Sequence, residues 1–340
     1  LEAFDPLSMS PTRARIACIG EDTVIVEGSP LLTRVFNVEM NSMTTRAWAV
    51  FRDPEHGGNE IVKIELPIGI VLKKIKPEEA FSKDGSKPSE SLLHLAAVRP
   101  TGQQPIRGAR RMLLRVTGLS EDIALPQDDT QRMIGDNLLE IIVPPEPSAW
   151  DLVANIQAGS LAEYLESDAL VQSGHPTIRK TAQQIVEDEQ GAWPVALRIY
   201  QWLWENVEKK AAPGIPSALE VLETRAGDCN EHTVLFAALA RSVGLPTRIG
   251  LGVVWSDEHQ GFYYHAWPEV CIPLQNGTTR WYWMDPTLGQ PIADATHVKL
   301  VTGGVRNWFQ LLPFMGKLQI EVLEQETPVL APKPAATEEN

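Results

Sequence analysis

The sequence predicts an α+β protein in which a β-rich segment is followed by a core of helices and strands. Three observations predict it. Short β-branched or alternating runs recur between turn signals from about residue 12 to 143, apolar residues recur at helical spacing between 177 and 243, and strand-like runs return between 248 and 284.

In the first segment the strand readings are 22–27, 45–51, 61–71, 92–98, 112–117 and 138–143, punctuated by Gly57 and Gly58, Asp84 and Gly85, and Thr101 and Gly102. This half carries no repeat period and no chemical motif. His56 and His94 have no Cys, His or carboxylate at ligand spacing and read as solvated or packed residues. Pro144, Pro145, Glu146 and Pro147 cannot continue a central strand and mark a boundary. The expected organisation is a β-rich domain over 1–145, a linker over 146–172, a core over 173–320 and a disordered Pro-, Ala- and Glu-rich tail over 321–340.

Helices are expected over 177–188, with Ile178, Ala182 and Ile185 on one face, and over 194–208, with Ala196, Ile199, Leu203 and Val207. Ser217 caps a short helix over 218–224, with Glu220 in the capping-box position. The next helix starts at Asp228 or Cys229 and runs through Val234, Leu235, Ala238 and Leu239 to Val243, where Gly244 and Pro246 stop it. Strands follow at 248–254, 262–271 and 280–284.

Composition bounds the partners. Of 340 residues, 43% are hydrophobic and 22% charged, and Lys+Arg 30 against Asp+Glu 44 leaves −14 with no basic stripe. No nucleic-acid partner is expected, nor an anionic lipid surface. No apolar run approaches the ~20 residues of a membrane span, since 61–75 is broken by Lys63, Glu65, Pro67, Lys73 and Lys74. The chain opens on Leu1 without a basic n-region and apolar h-region, and so reads as a processed product. Cys18, Cys229 and Cys271 are too few for a disulfide framework and form no paired C-x-x-C knuckles.

The chemistry gathers on Cys229, His265 and Asp285. Gly227, Asp228 and Cys229 open an apolar helix, His265 sits in a strand, and Asp285 ends another. A first-turn position favours an anion through unpaired backbone N–H groups and the macrodipole, so Cys229 suits a thiolate nucleophile. An imidazole beside it completes an ion pair and later protonates a leaving amine, and a carboxylate orients that imidazole. The N–H of Cys229 would then face a developing oxyanion. Blander readings stand beside these. Cys229 has the alternative of a small buried hydrophobe, Asp285 that of a turn residue before Pro286, and Cys18 and Cys271 read as packed strand residues. His232, three residues after Cys229, rivals His265 as base or pairs with the thiol as a metal ligand. No further Cys or His pair completes a zinc site, so a packed or supporting role fits His232 better and no metal or cofactor is expected. His259 and His297 read as ordinary histidines.

The blocks SALEVLETRAGDCNEH at 217–232, ALARSVGLPTR at 238–248, YHAWPEV at 264–270 and WMDPTLGQ at 283–290 carry a resemblance. From residue 177 to about 302 the chain resembles the transglutaminase-like core of the papain-like cysteine-enzyme superfamily. The resemblance implies a nucleophile helix packed on an antiparallel sheet, with Cys229 as nucleophile, His265 as base and acid, and Asp285 as orienting carboxylate. It implies a protein or peptide substrate, either hydrolysed at an amide bond or cross-linked from Gln to Lys; members that have lost activity leave an interaction module as a third reading. Hydrolysis leads, because no acidic loop has calcium-ligand spacing. A β-rich module ahead of this core is a bacterial extracytoplasmic arrangement, which implies a periplasmic, envelope or secreted location.

Overall fold

The computed structural model describes residues 2–5, 10–40, 43–51, 58–65, 71–76, 97–119, 123–147, 159–189, 191–210, 217–274, 276–304, 310–311 and 314–326. His56, His94 and the tail from 327 lie outside them.

The first strands form a six-stranded antiparallel meander: β1 (Glu2–Asp5), β2 (Ser10–Val26), β3 (Ser29–Met40), β4 (Met43–Val50), β5 (Glu60–Glu65) and β6 (Val71–Lys73). Glu27 (φ 52°) and Gly28 (φ 83°) join β2 to β3. Two positive φ values in a two-residue loop match the right-handed twist of a hairpin, which is why glycine stands there. This sheet has its own apolar cluster of Val24, Val26, Val35, Trp48, Val50 and Val62.

A second sheet follows: β7 (Thr101–Gly102), β8 (Arg111–Thr117), β9 (Gln131–Gly135) and β10 (Leu138–Ile142), with β17 (Gln319–Glu326) inserted between β7 and β8. Two expectations change here. Met112, Leu114, Leu139 and Ile141 of this sheet belong to the same apolar cluster as the helices that follow, so the change of core falls between β6 and β7 rather than at residue 145. Residues 321–326, expected in the tail, form most of β17, because Ile320 and Val322 alternate with exposed neighbours and bury one face. The linker expectation is likewise revised over 159–172. A 3₁₀ helix spans Gly159–Leu165, Val171 is buried, and the carbonyl of Leu170 accepts from Ala218 N at 2.8 Å. The prolines end a strand there without ending the packing.

The helices are α1 (Pro176–Val186), α2 (Ala192–Asn206), α3 (Ala218–Thr224) and α4 (Cys229–Ser242). Ser217 caps α3 and Asp228 caps α4, each through a complete capping box, with Glu220 and Glu231 reaching back to the cap N–H. From Val234 to Ala240 every side chain of α4 is buried, as expected of a helix wrapped on all sides. α1, α2 and α3 pack on it, and its other flank lies on β13 (Thr247–Ser256) and β14 (Gly261–Pro273). These two belong to a four-stranded antiparallel sheet in the order β15 (Thr279–Trp283), β14, β13, β16 (His297–Gly303). β16 escaped the sequence reading. It is buried on both faces and therefore lacks alternation, and Lys299 interrupts its apolar run.

Lys299 is fully buried because its charge is answered. Its Nζ donates to Glu269 Oε1 and Oε2 at 2.9 and 3.1 Å and to Asp128, and lies 4.4 Å from the Trp283 ring centre. Arg248 joins the same two carboxylates, Nε to Glu269 at 2.6 Å and Nη2 to Asp128 at 2.9 Å. Gln131 donates to the carbonyl of Lys299 at 2.8 Å and accepts from its N–H at 2.9 Å. This cluster fastens the second sheet to the sheet that carries the site. Among the described residues, no helix is long and apolar enough to cross a membrane.

Candidate active site

The chain enters α4 through β12 (Ala226–Gly227), which pairs in parallel with β11 (Glu208–Lys209) at the end of α2. Gly227 is required there: a Cβ on it would stand 2.0 Å from Cβ of Glu231. That space lets Glu231 fold back to accept from Asp228 N at 2.9 Å. Burial, and then the neighbouring Asp228 carboxylate, push Glu231 up to about 7. The caps use the N–H groups of Asn230 and Glu231 and not that of Cys229, the first helical residue.

His265 lies on β14 opposite Gly252 of β13. A Cβ on Gly252 would stand 2.0 Å from the carbonyl oxygen of Val298, so glycine allows β16 to close against β13 beside the imidazole. Asp285 follows β15 in a loop, closed by paired backbone bonds with Gln290 at 2.8 Å each. Its two oxygens divide the work. Oδ1 accepts from Thr287 N and Leu288 N, both at 2.9 Å, and Oδ2 accepts from Nε2 of His265 at 2.8 Å. The turn expected at Asp285 and its contact with His265 therefore belong to one side chain. With Nε2 committed to Asp285, the other side of the His265 ring remains for Cys229, whose thiol acts on it as a neighbour. Burial alone would lower His265; the charge of Asp285 and the contact with Cys229 outweigh it and raise the ring to about 9. Burial would raise Asp285, but His265 and His297 hold it well below the usual carboxylate range.

His297, read from the sequence as ordinary, belongs to this group. It is fully buried and its Nε2 meets Oδ2 of Asp285 at 3.1 Å. No spacing in the sequence reveals it, since β16 reaches Asp285 through sheet register. His265, Asp285 and His297 offer ligand atoms within 4.8 Å of one another, the spacing of a three-donor metal set, but each contact is a hydrogen bond already satisfied. His232 is separate. Its Nδ1 meets the carbonyl of Asp228 at 2.7 Å, and burial lowers its basicity, so the ring is tied to the backbone of its own helix turn. Cys271 is buried, as expected, and burial pushes its thiol up. Cys18, expected to be packed, is exposed on β2, because the meander covers its apolar cluster only at the other end of that long strand. His259 is exposed.

A cavity of about 430 Å³ opens beside α4, lined by Trp204, Asn206, Arg225, His232, Pro286 and Thr287 among others. The buried Oγ1 of Thr287 and the buried Oδ1 of Asn230 have no hydrogen-bond partner among the described residues.

Residues 179–286 match the family model of the transglutaminase-like superfamily. This segment is similar to a transglutaminase-like core. It runs from α1 through Asp285 and includes Cys229 and His265. Solved structures similar to the chain include a candidate cysteine protease of Cytophaga hutchinsonii, at 15% identity and TM-score 0.42, covering 68% of this chain and 86% of that one. The periplasmic domain of TgpA from Pseudomonas aeruginosa is similar at 15% identity and TM-score 0.33, covering 61% and 85%. A candidate protease of Parabacteroides distasonis is similar at 9% identity and TM-score 0.27, covering 85% and 72%. No curated protein matches the chain.

Proposed function

We propose that the protein is a cysteine-dependent acyl-transfer enzyme that hydrolyses peptide or other amide bonds. One observation carries the reading: the His265 ring is hydrogen-bonded to Asp285 at 2.8 Å and is also raised by its neighbour Cys229. Cys229 transfers its proton to His265, and the thiolate attacks the amide carbonyl. The charge that develops on the carbonyl oxygen is met by the N–H of Cys229 at the helix start. His265 then gives the proton to the leaving amine as the C–N bond breaks, leaving a thioester on Cys229. Water attacks the thioester, His265 takes a proton from it, and the carboxylic acid departs as the thiol re-forms. Asp285 holds the ring in the tautomer that faces sulfur and stabilises its charged form. The cavity bordered by Trp204 and Thr287 is lined by His232, on the same helix as Cys229, and supports a substrate side chain seated on that flank of α4.

If an amine replaces water at the thioester, the same chemistry cross-links Gln to Lys. The test separates the two. The protein is incubated with a Gln-containing protein, with and without a primary amine and calcium, and new N-termini are followed against amine incorporation. Cleavage is expected to dominate, and to fall by about 10³-fold or more in Cys229→Ala and His265→Ala but not in folded His232→Ala. Amine incorporation that outpaces cleavage and still needs Cys229 would make cross-linking the correct outcome. Neither product across a broad substrate panel would leave an interaction module.

A further inference from the structure

The structure assigns His297 a role that no motif announces. We propose that His297 is a positioning residue, a standing imidazolium held by Asp294. It pins the Asp285 carboxylate opposite His265 and limits how strongly Asp285 stabilises the charged form of His265. The proposal rests on the thiol–imidazole reading above. Its argument is a count of donors. A neutral imidazole carries one N–H. His297 faces acceptors from both nitrogens, Nε2 toward Asp285 Oδ2 at 3.1 Å and Nδ1 toward the carbonyl and Oδ1 of Asp294 at 3.1 and 3.4 Å. Only the doubly protonated ring satisfies both sides.

The two carboxylates are equally committed. Asp285 receives two backbone N–H groups on Oδ1 and two ring nitrogens on Oδ2, the environment that favours an ionised carboxylate most. Asp294 receives Thr296 N at 2.9 Å, Gly108 N at 2.8 Å and Gln290 Nε2 at 2.6 Å, with Arg107 Nε at 3.6 Å. It is therefore anchored both within its own loop and by the distant stretch of Arg107 and Gly108, which holds it beside His297. Other charged or titratable groups around the pair are accounted for. Tyr200 of α2 and His232 of α4 feel the charge of Asp285, Cys229 of α4 faces His265, and Lys299, two residues along β16, is occupied by Glu269 and Asp128. Trp267 meets both imidazoles, stacked on His265 and edge-on to His297.

Two imidazoles on one carboxylate oppose each other as cations, their ring centres 5.9 Å apart. Removing the charge of His297 leaves Asp285 to stabilise protonated His265 alone, so His265 should hold its proton to higher pH. A His297 that merely fills space predicts no such change.

The experiment is ¹⁵N-histidine NMR of the full chain between pH 5 and 10.5, in wild type, His297→Gln and Asp294→Asn. In wild type at pH 7.5, both ring nitrogens of His297 should be protonated, and the proton should leave only near 9. The His265 midpoint should rise by about one pH unit or more in His297→Gln, and by less in Asp294→Asn. A neutral single tautomer of His297 at pH 7.5 overturns the proposal, and so does an unmoved His265 midpoint in folded His297→Gln. If neither variant folds, the wild-type spectrum decides alone. Alkylation of Cys229 by iodoacetamide, which needs no substrate, is measured in parallel. If Cys229 proves unreactive while His297 is doubly protonated, the enzymatic reading fails and the ionisation of His297 stands.

Discussion

Cys229 and His265 meet because a helix start and a strand interior are held at fixed depth, and the consequence is chemical selectivity among three thiols. Cys271 is buried and its thiol is pushed up, while Cys18 is exposed and its Sγ meets the carbonyl of Gly20 at 3.8 Å. Accessibility alone would therefore favour Cys18, whereas activation favours Cys229. With limiting iodoacetamide at pH 6.5, mapped by peptide mass spectrometry, Cys229 is expected to take most of the label, at least tenfold over Cys18. Preferential labelling of Cys18 would show that exposure outweighs the neighbouring imidazole. At this scale the sequence spoke clearly for Cys229, His265 and Asp285, since each lies in a block with local meaning. It was silent on His297, which reaches Asp285, 12 residues away, from β16 through tertiary contact.

At the scale of the element, α4 is a helix whose first turn is prepared by the residues before it. The capping box of Asp228 and Glu231 exists only because Gly227 leaves room for the glutamate stem. Gly227→Ala should therefore cost more than a lost cap, because its new methyl group would overlap Cβ of Glu231, while Asp228→Ala should cost ~1 kcal/mol. Urea titration of both variants checks the order, and a Gly227→Ala as stable as wild type would mean that Glu231 has another place to go. Caps, breakers and helical period made the four helices among the described residues legible. The strands were less so: β16 carries no alternation, and β17 was hidden by a composition that darkens toward Pro and Glu just beyond it.

For the molecule as a whole, the buried charges decide stability. Lys299, Arg248, Glu269 and Asp128 hold the second sheet against the site, and removing one member leaves a buried charge unanswered. Lys299→Met should destabilise by ~3–5 kcal/mol, and pairing it with Glu269→Gln should recover part of that loss, as read from the midpoint of chemical unfolding. The pH dependence has a worked sign. His265 and His297 are raised to about 9 in the fold, so their contribution is complete below their ordinary value of ~6.5 and is lost as pH rises through 9. Asp285 and Asp294 are depressed, so theirs is complete above ~4 and is lost as pH falls below it. The melting temperature should be highest between pH 4 and 6.5 and decline by several degrees toward pH 9, with a shallower decline in His297→Gln. A melting temperature that does not change from pH 6 to 9 would rule out this account.

Local information fixed what local physics governs. The capping boxes, the Gly244–Pro246 stop, the positions of Cys229, His265 and Asp285 and the family blocks all follow from residues within a few steps of one another. What depended on distant pairing needed the fold. The return of β17 into the second sheet, the shared core of 97–147 with the helices, the burial of Lys299 and the approach of His297 to Asp285 join residues far apart in sequence. The physical reason is that a buried charge or a doubly buried strand has no signature of its own along the chain. It is stable only once its partners surround it, and those partners are chosen by register and packing.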